Sequence, residues 1–162
     1  MTDAQPLSTE DKFAIFEQMN LHQVSIDTGW GREQADAYVD LYWPEGKFNV
    51  IDLRHQTFAG PEELKKMYDY GHSVFPIEKW SHDMGPFKIT GSGDRATVHW
   101  RWAVKWRHEV QGTISTGSYD DVFEKRDGVW KCLERTSTID QNWPAQAFQP
   151  YVDRQDELFR ES

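Results

Sequence analysis

Arg95-Ala96-Thr97-Val98-His99-Trp100-Arg101-Trp102-Ala103-Val104-Lys105-Trp106-Arg107 alternates without a break. Val98, Trp100, Trp102, Val104 and Trp106 fall on one side of it, and Thr97, His99, Arg101, Lys105 and Arg107 on the other. Successive side chains of a strand point to opposite faces, so the stretch reads as a long strand with one apolar and one polar face. Before it, Gly91-Ser92-Gly93-Asp94 turns the chain back onto a strand over Trp80–Ile89. After it, Thr113–Lys125 is the next strand, Arg126-Asp127-Gly128 is a hairpin signal, and Val129–Ile139 completes a four-stranded antiparallel meander.

The period differs ahead of the meander. Residues 1–7 read as loosely attached, and Ser8 or Thr9 can cap a helix that runs to about Asp27, with Glu10 and Asp11 at its positive end. Phe13, Phe16, Met19, Asn20, Gln23 and Val24 form its stripe. Asp27 lies about 20° from Phe16 on an ideal wheel and extends that face. Gly29 and Gly31 stop the helix. A second helix is predicted from Arg32 to Trp43, burying Ala35, Val39 and Tyr42. Pro44-Glu45-Gly46 reads as a turn, Lys47–Leu53 as a strand and Arg54–Phe58 as its hairpin partner. Gly60-Pro61-Glu62-Glu63 opens a third helix reaching about Ser73, with the proline at its first position. From Asn142 a tail with Pro144 and Pro150 leads to a short amphipathic helix at Tyr151–Phe159.

Three helices with an inserted hairpin, followed by a meander, predict an α+β fold. A curved, mostly antiparallel sheet wraps around the three N-terminal helices as a cone-shaped barrel with one open end. The 162 residues are expected to form one domain, with a core over 9–140 and a tail over 141–162.

Composition narrows the partners. Eighteen basic against 27 acidic residues give a net charge of −9, which argues against nucleic acid and anionic membranes. Cys132 is the single cysteine, so no internal disulfide and no CxxC metal spacing is present. No charged-then-apolar leader opens the chain and no apolar run approaches about 18 residues, so a soluble cytoplasmic protein is expected. Aromatic residues make up 14% of the chain and include eight tryptophans, which suit both a core and the wall of a ligand cavity.

Two residues carry the chemical expectation. Asp27 is a carboxylate at the end of an apolar helix face, and His82 stands in Trp80-Ser81-His82-Asp83-Met84. If the fold joins them, the aspartate orients the imidazole as a general base. Sequence spacing alone leaves open whether they meet. Strand alternation puts Trp80, His82 and Met84 on one face and Asp83 on the other. His99 belongs to the polar row of Arg101, Lys105 and Arg107. Tyr119 alternates with Asp121 and Phe123, and Trp100, Trp102 and Trp106 either pack on the helices or form a cavity wall.

The chain resembles the nuclear transport factor 2-like superfamily, in its SnoaL-like and scytalone dehydratase-like branch. The likeness spans Phe13 to Thr138. It rests on Ile26-Asp27, on Ala37-Tyr38-Val39-Asp40-Leu41-Tyr42-Trp43-Pro44-Glu45-Gly46-Lys47-Phe48 and on Phe58-Ala59-Gly60-Pro61-Glu62-Glu63-Leu64. Ser81-His82-Asp83 and the hairpin from Gly117 to Lys131 complete it. The branch eliminates groups from cyclic or aromatic substrates with an aspartate–histidine dyad, and Asp27 and His82 match those two positions. Arg135 falls near a cavity arginine of some members. Where those enzymes have a tyrosine or lysine five positions before the aspartate, this chain has His22, about 140° from Asp27 on the wheel.

The resemblance therefore implies a cofactor-independent lyase of the dehydratase type, with no metal, acting on a small hydrophobic cyclic or aromatic molecule. Related isomerisation or cyclisation is included. A protonated His22, Tyr119 or Arg135 would assist the leaving group, and Tyr119, Trp80, Met84, Trp100, Trp102, Tyr42 and His72 would contact the substrate. A homodimer or homotrimer is expected from the open sheet. The competing expectations are a non-catalytic ligand-binding or assembly module and a partner protein resembling a dioxygenase β-subunit. An epoxide hydrolase is disfavoured, because Arg101 is followed by Ala103 and not by an acid two residues on.

Overall fold

The long alternating stretch is paired antiparallel on both sides, with the strand before it and the strand after it. A computed structural model describes residues 5–28, 32–51, 56–74, 80–106 and 113–140; within these, the side chains of 28, 32, 33, 70–74, 80, 106 and 114 lie outside the description. Three helices are α1 (Thr9–Thr28), α2 (Arg32–Asp40) and α3 (Gly60–Val74). The strands are β1 (Tyr42–Val50), β2 (Gln56–Ala59), β3 (Trp80–Ser92), β4 (Arg95–Trp106), β5 (Thr113–Arg126) and β6 (Val129–Ile139). They form one curved, open sheet in the order β2-β1-β6-β5-β4-β3. Only the β1–β6 contact is parallel among these pairs. The predicted α+β architecture is present.

The inner face of β4 is the predicted one: Val98, Trp100, Trp102 and Val104 are buried. Opposite Trp100 stands Tyr119, and opposite Val98 stands Asp121. Residues 126–129 close the last hairpin with positive φ at both Asp127 (51°) and Gly128 (83°), the twist that a two-residue turn between antiparallel strands needs.

Ser8 caps α1: its Oγ accepts from the Asp11 N–H at 3.0 Å, while the Asp11 carboxylate accepts from the Ser8 N–H at 3.2 Å. Asp11 also accepts from Lys125 (2.8 Å) and Trp130 (2.9 Å), tying the helix start to the last hairpin. The segment before it is not loose where it is described. Pro6 bridges Ser92, Gln5 accepts from the Gly93 N–H at 2.8 Å, and Leu7 is buried.

The stripe of α1 is a correction. Ile15, Met19 and His22 are fully buried, whereas Phe13 is 66% and Val24 52% exposed. The buried face therefore runs 15-19-22, and Phe16 lies at its edge, where its ring meets Phe87 of β3 at 5.3 Å. The 20° relation between Phe16 and Asp27 survives this shift, because both residues face β3.

Three boundaries move for local reasons. α2 stops at Asp40, ahead of the predicted Trp43, because the chain turns into β1 there: the Leu41 carbonyl accepts from the Cys132 N–H at 2.9 Å and Tyr42 pairs with Cys132 of β6. Pro44-Glu45-Gly46 is an irregularity inside β1 and not a turn between elements; a Cβ on Gly46 would stand 2.8 Å from the Trp43 carbonyl. β3 extends to Ser92, with a register shift at Gly85-Pro86 that an edge strand tolerates. The predicted tail helix at Tyr151–Phe159, Gly29, Gly31 and Arg54 lie outside the described residues.

Candidate active site

Helix α1 and strand β3 bring Asp27 and His82 into direct contact. The Asp27 Oδ1 lies 2.6 Å from His82 Nδ1, and Oδ2 accepts from the His82 backbone N–H at 2.8 Å. A carboxylate only accepts, so Nδ1 donates to Asp27, and Nε2 is the ring nitrogen left to exchange a proton with a substrate. Both side chains are 15% exposed: sheltered, yet reachable. The double contact fixes the imidazole by its main chain as well as by its ring.

The surroundings follow from register. Across from His82 on β4 is Val104, and across from Met84 is Trp102. The Trp102 indole lies over Gly117 of β5, where a Cβ would come within 2.3 Å of the ring, so glycine is what allows that placement. Tyr119 then stacks between Trp102 (5.8 Å) and Trp100 (4.7 Å), with Phe48 at 6.1 Å. An aromatic wall thus runs inward from the histidine.

At the inner end of this wall stands Arg135. Its guanidinium carbon lies 4.7 Å from the Tyr119 ring centre and 5.1 Å from that of Trp100. Nε and Nη2 donate to the Asp121 carboxylate at 2.8 and 2.6 Å, and Trp100 Nε1 donates to the same carboxylate at 2.8 Å. Burial opposes the arginine charge, but Asp121 outweighs it and holds the guanidinium above its ordinary range. Among the described residues, Arg135 Nη1 is left without an acceptor, and Trp102 Nε1 and Ser115 Oγ are buried with no partner either. Burial raises the Tyr119 pKa against the opposing Arg135 charge, and the Asp121 and Asp27 carboxylates add to the rise, so its hydroxyl stays protonated.

His22 is not beside the dyad. It is fully buried, edge-on to Tyr38 (4.8 Å) and Tyr42 (5.0 Å), whose hydroxyls lie 3.2 Å apart. Burial, and secondarily the Arg135 charge, keeps its imidazole well below the usual range and therefore neutral. The expectation of a protonated helper acid at this position is corrected: α1 runs undistorted to Thr28, so His22 and Asp27 leave the helix in different directions. Tyr42 accordingly belongs with His22 and not with the dyad. The side chains of His72 and Trp80 lie outside the described part.

Asp121 and Tyr38 were not singled out from the sequence. The signal for Asp121 was its alternation with Tyr119 and Phe123, which puts a carboxylate on the inner face. On the outer face, Asp83 pairs with Lys105, His99 with Asp120 (2.7 Å), and Arg101 with Asp140. Arg101 thus points away from the aromatic wall. Among the described residues, no three His, Cys, Asp or Glu side chains are grouped to hold a metal, and no helix is long and apolar enough to cross a membrane.

The chain belongs to the SnoaL-like domain family, which matches residues 8–136. No curated protein matches it in sequence. Among solved structures it is similar to a protein of unknown function with a cystatin-like fold from Nostoc punctiforme PCC 73102. That likeness has 22% identity, covers 86% of this chain and 98% of the other, and has a TM-score of 0.74. A scytalone dehydratase candidate from Novosphingobium aromaticivorans DSM 12444 is 19% identical over 82% of this chain and 85% of its own, at 0.67. A type 2 hexachlorocyclohexane dehydrochlorinase is 15% identical over 81% and 86%, at 0.62. These likenesses establish the fold.

Proposed function

We propose that the protein is a lyase of the dehydratase type that uses the Asp27–His82 pair to remove a proton from a small hydrophobic cyclic or aromatic molecule. The observation that carries the reading is the contact at 2.6 Å between Asp27 Oδ1 and His82 Nδ1, which leaves Nε2 as the ring nitrogen to meet a substrate. His82 Nε2 takes a substrate C–H proton, the electron pair of that bond forms a new double bond, and the leaving group departs from the neighbouring carbon with its own electron pair. Asp27 holds the ring orientation and stabilises the imidazolium. Arg135 Nη1, with no acceptor among the described residues, supplies a donor for negative charge developing on the leaving group or on a conjugated oxygen. Because Asp121 already balances the guanidinium, an uncharged substrate fits this interior better than a carboxylate. Trp102, Met84 and Tyr119 provide the surface on which a flat ring lies. We also propose a homodimer or homotrimer formed through the outer sheet face.

The test is a panel of β-hydroxy and β-halo cyclic ketones, followed by absorbance of the conjugated product. Wild type is expected to turn over at least one of them, and His82→Ala to lose about 100- to 10,000-fold in rate. Turnover that survives His82→Ala contradicts the mechanism. Tight binding of panel members with no turnover favours the second reading, a ligand-binding module, which the paired and fully buried Arg135 would equally suit.

A further inference from the structure

The last turn of α1 has to hold a carboxylate where a helix least favours one. A helix leaves its last carbonyls without intrahelical donors, and the negative end of its dipole repels an acid such as Asp27, which stands in the last turn. No basic residue stands in this last turn. At the start of this turn the Ser25 carbonyl has a donor from another element: the Tyr68 hydroxyl, on α3, reaches it at 2.7 Å. The Ser25 Oγ in turn donates to the His22 carbonyl at 2.8 Å. Tyr68 is 3% exposed and its ring lies 5.0 Å from that of Tyr38, so α3 and α2 both fix it. Burial pushes its pKa up to about 12, which keeps the hydroxyl a donor.

Ser25 precedes Asp27 by two residues. The Asp27 carboxylate meets two donors of His82 at once, at 2.6 and 2.8 Å, and a displacement of the turn by a fraction of an ångström breaks one of them. We propose that Tyr68 is a positioning residue for the dyad: by donating to the Ser25 carbonyl, it locks the last turn of α1 and so the carboxylate that orients His82. Its catalytic meaning rests on the proton-abstraction reading; its geometric meaning does not.

The experiment reads His82 itself in the full chain, by the low-field resonance of its Nδ1 proton, in wild type, Tyr68→Phe, Asp27→Asn and the double variant. Tyr68→Phe keeps the ring against Tyr38 and removes one hydrogen bond, so the fold persists. The resonance is expected to move in Tyr68→Phe part of the way towards its position in Asp27→Asn, and the double variant to match Asp27→Asn alone. With α-tetralone as a probe of proton exchange, kcat is expected to fall about tenfold while KM stays within about twofold. A resonance unchanged from wild type, with only the melting temperature lowered, overturns the proposal and makes Tyr68 a packing residue. If wild type exchanges no proton at all, the lyase reading fails while the resonance still decides the role of Tyr68.

Discussion

His82 and His22 both reach the inner side of the sheet, from β3 and from α1, and their surroundings give them different chemistry. His82 has a carboxylate on one ring nitrogen and 15% of its side chain exposed. His22 has no exposure, and among the described residues neither ring nitrogen has a partner. An imidazole becomes a base when one nitrogen is oriented and the other can meet a substrate. Burial without a partner instead fixes the neutral form and makes the residue part of the packing. Arg135 stands between the two cases: fully buried like His22, but paired with Asp121 on two nitrogens and open on the third.

The largest break in this comparison should come at His82. Removing its ring, or replacing Asp27 by asparagine, is expected to slow proton removal by about 100- to 10,000-fold with little loss of fold, measured by turnover of the ketone panel. At the other centre the loss should be in stability. Asp121→Ala leaves a buried guanidinium unpaired, and urea unfolding should show a loss of about 3–5 kcal/mol.

The pH behaviour of His22 is a finer test. Its pKa in the folded protein lies below the ordinary 6.5, so the folded state binds fewer protons than the unfolded one. Stability from its neutral burial is therefore fully present above about pH 6.5 and lost as pH falls, by up to about 1.4 kcal/mol per pH unit. His22→Phe should flatten that acid limb in urea titrations at pH 7, 6 and 5. The smallest effect is expected at Phe13, which is 66% exposed: Phe13→Ser should change unfolding stability by no more than about 0.5 kcal/mol.

Much of this arrangement was legible in the chain. Period-two alternation from Arg95 to Arg107 sets the inner face of the meander, and the same alternation puts His82 and Met84 on it. The helix was harder. Phe13 and Val24 look like core residues by type, but a helix on an open sheet buries only the stripe that meets it, and that stripe is chosen by contacts distant in sequence. The Asp27–His82 contact spans 55 positions, so residue type could suggest it but spacing could not measure it. Asp121 escaped notice because an inward carboxylate is read as surface until its arginine, on a neighbouring strand, is known. Tyr68 escaped because a hydroxyl that serves a carbonyl on another helix leaves no local pattern.

The most direct measurement is deuterium incorporation into α-tetralone in deuterium oxide, above the buffer background, by wild type and by Asp27→Asn and His82→Ala. If the carboxylate-held imidazole is the base, wild type incorporates deuterium next to the carbonyl and both variants lose most of that rate. Equal incorporation in all three proteins would contradict a proton-removing role for the pair.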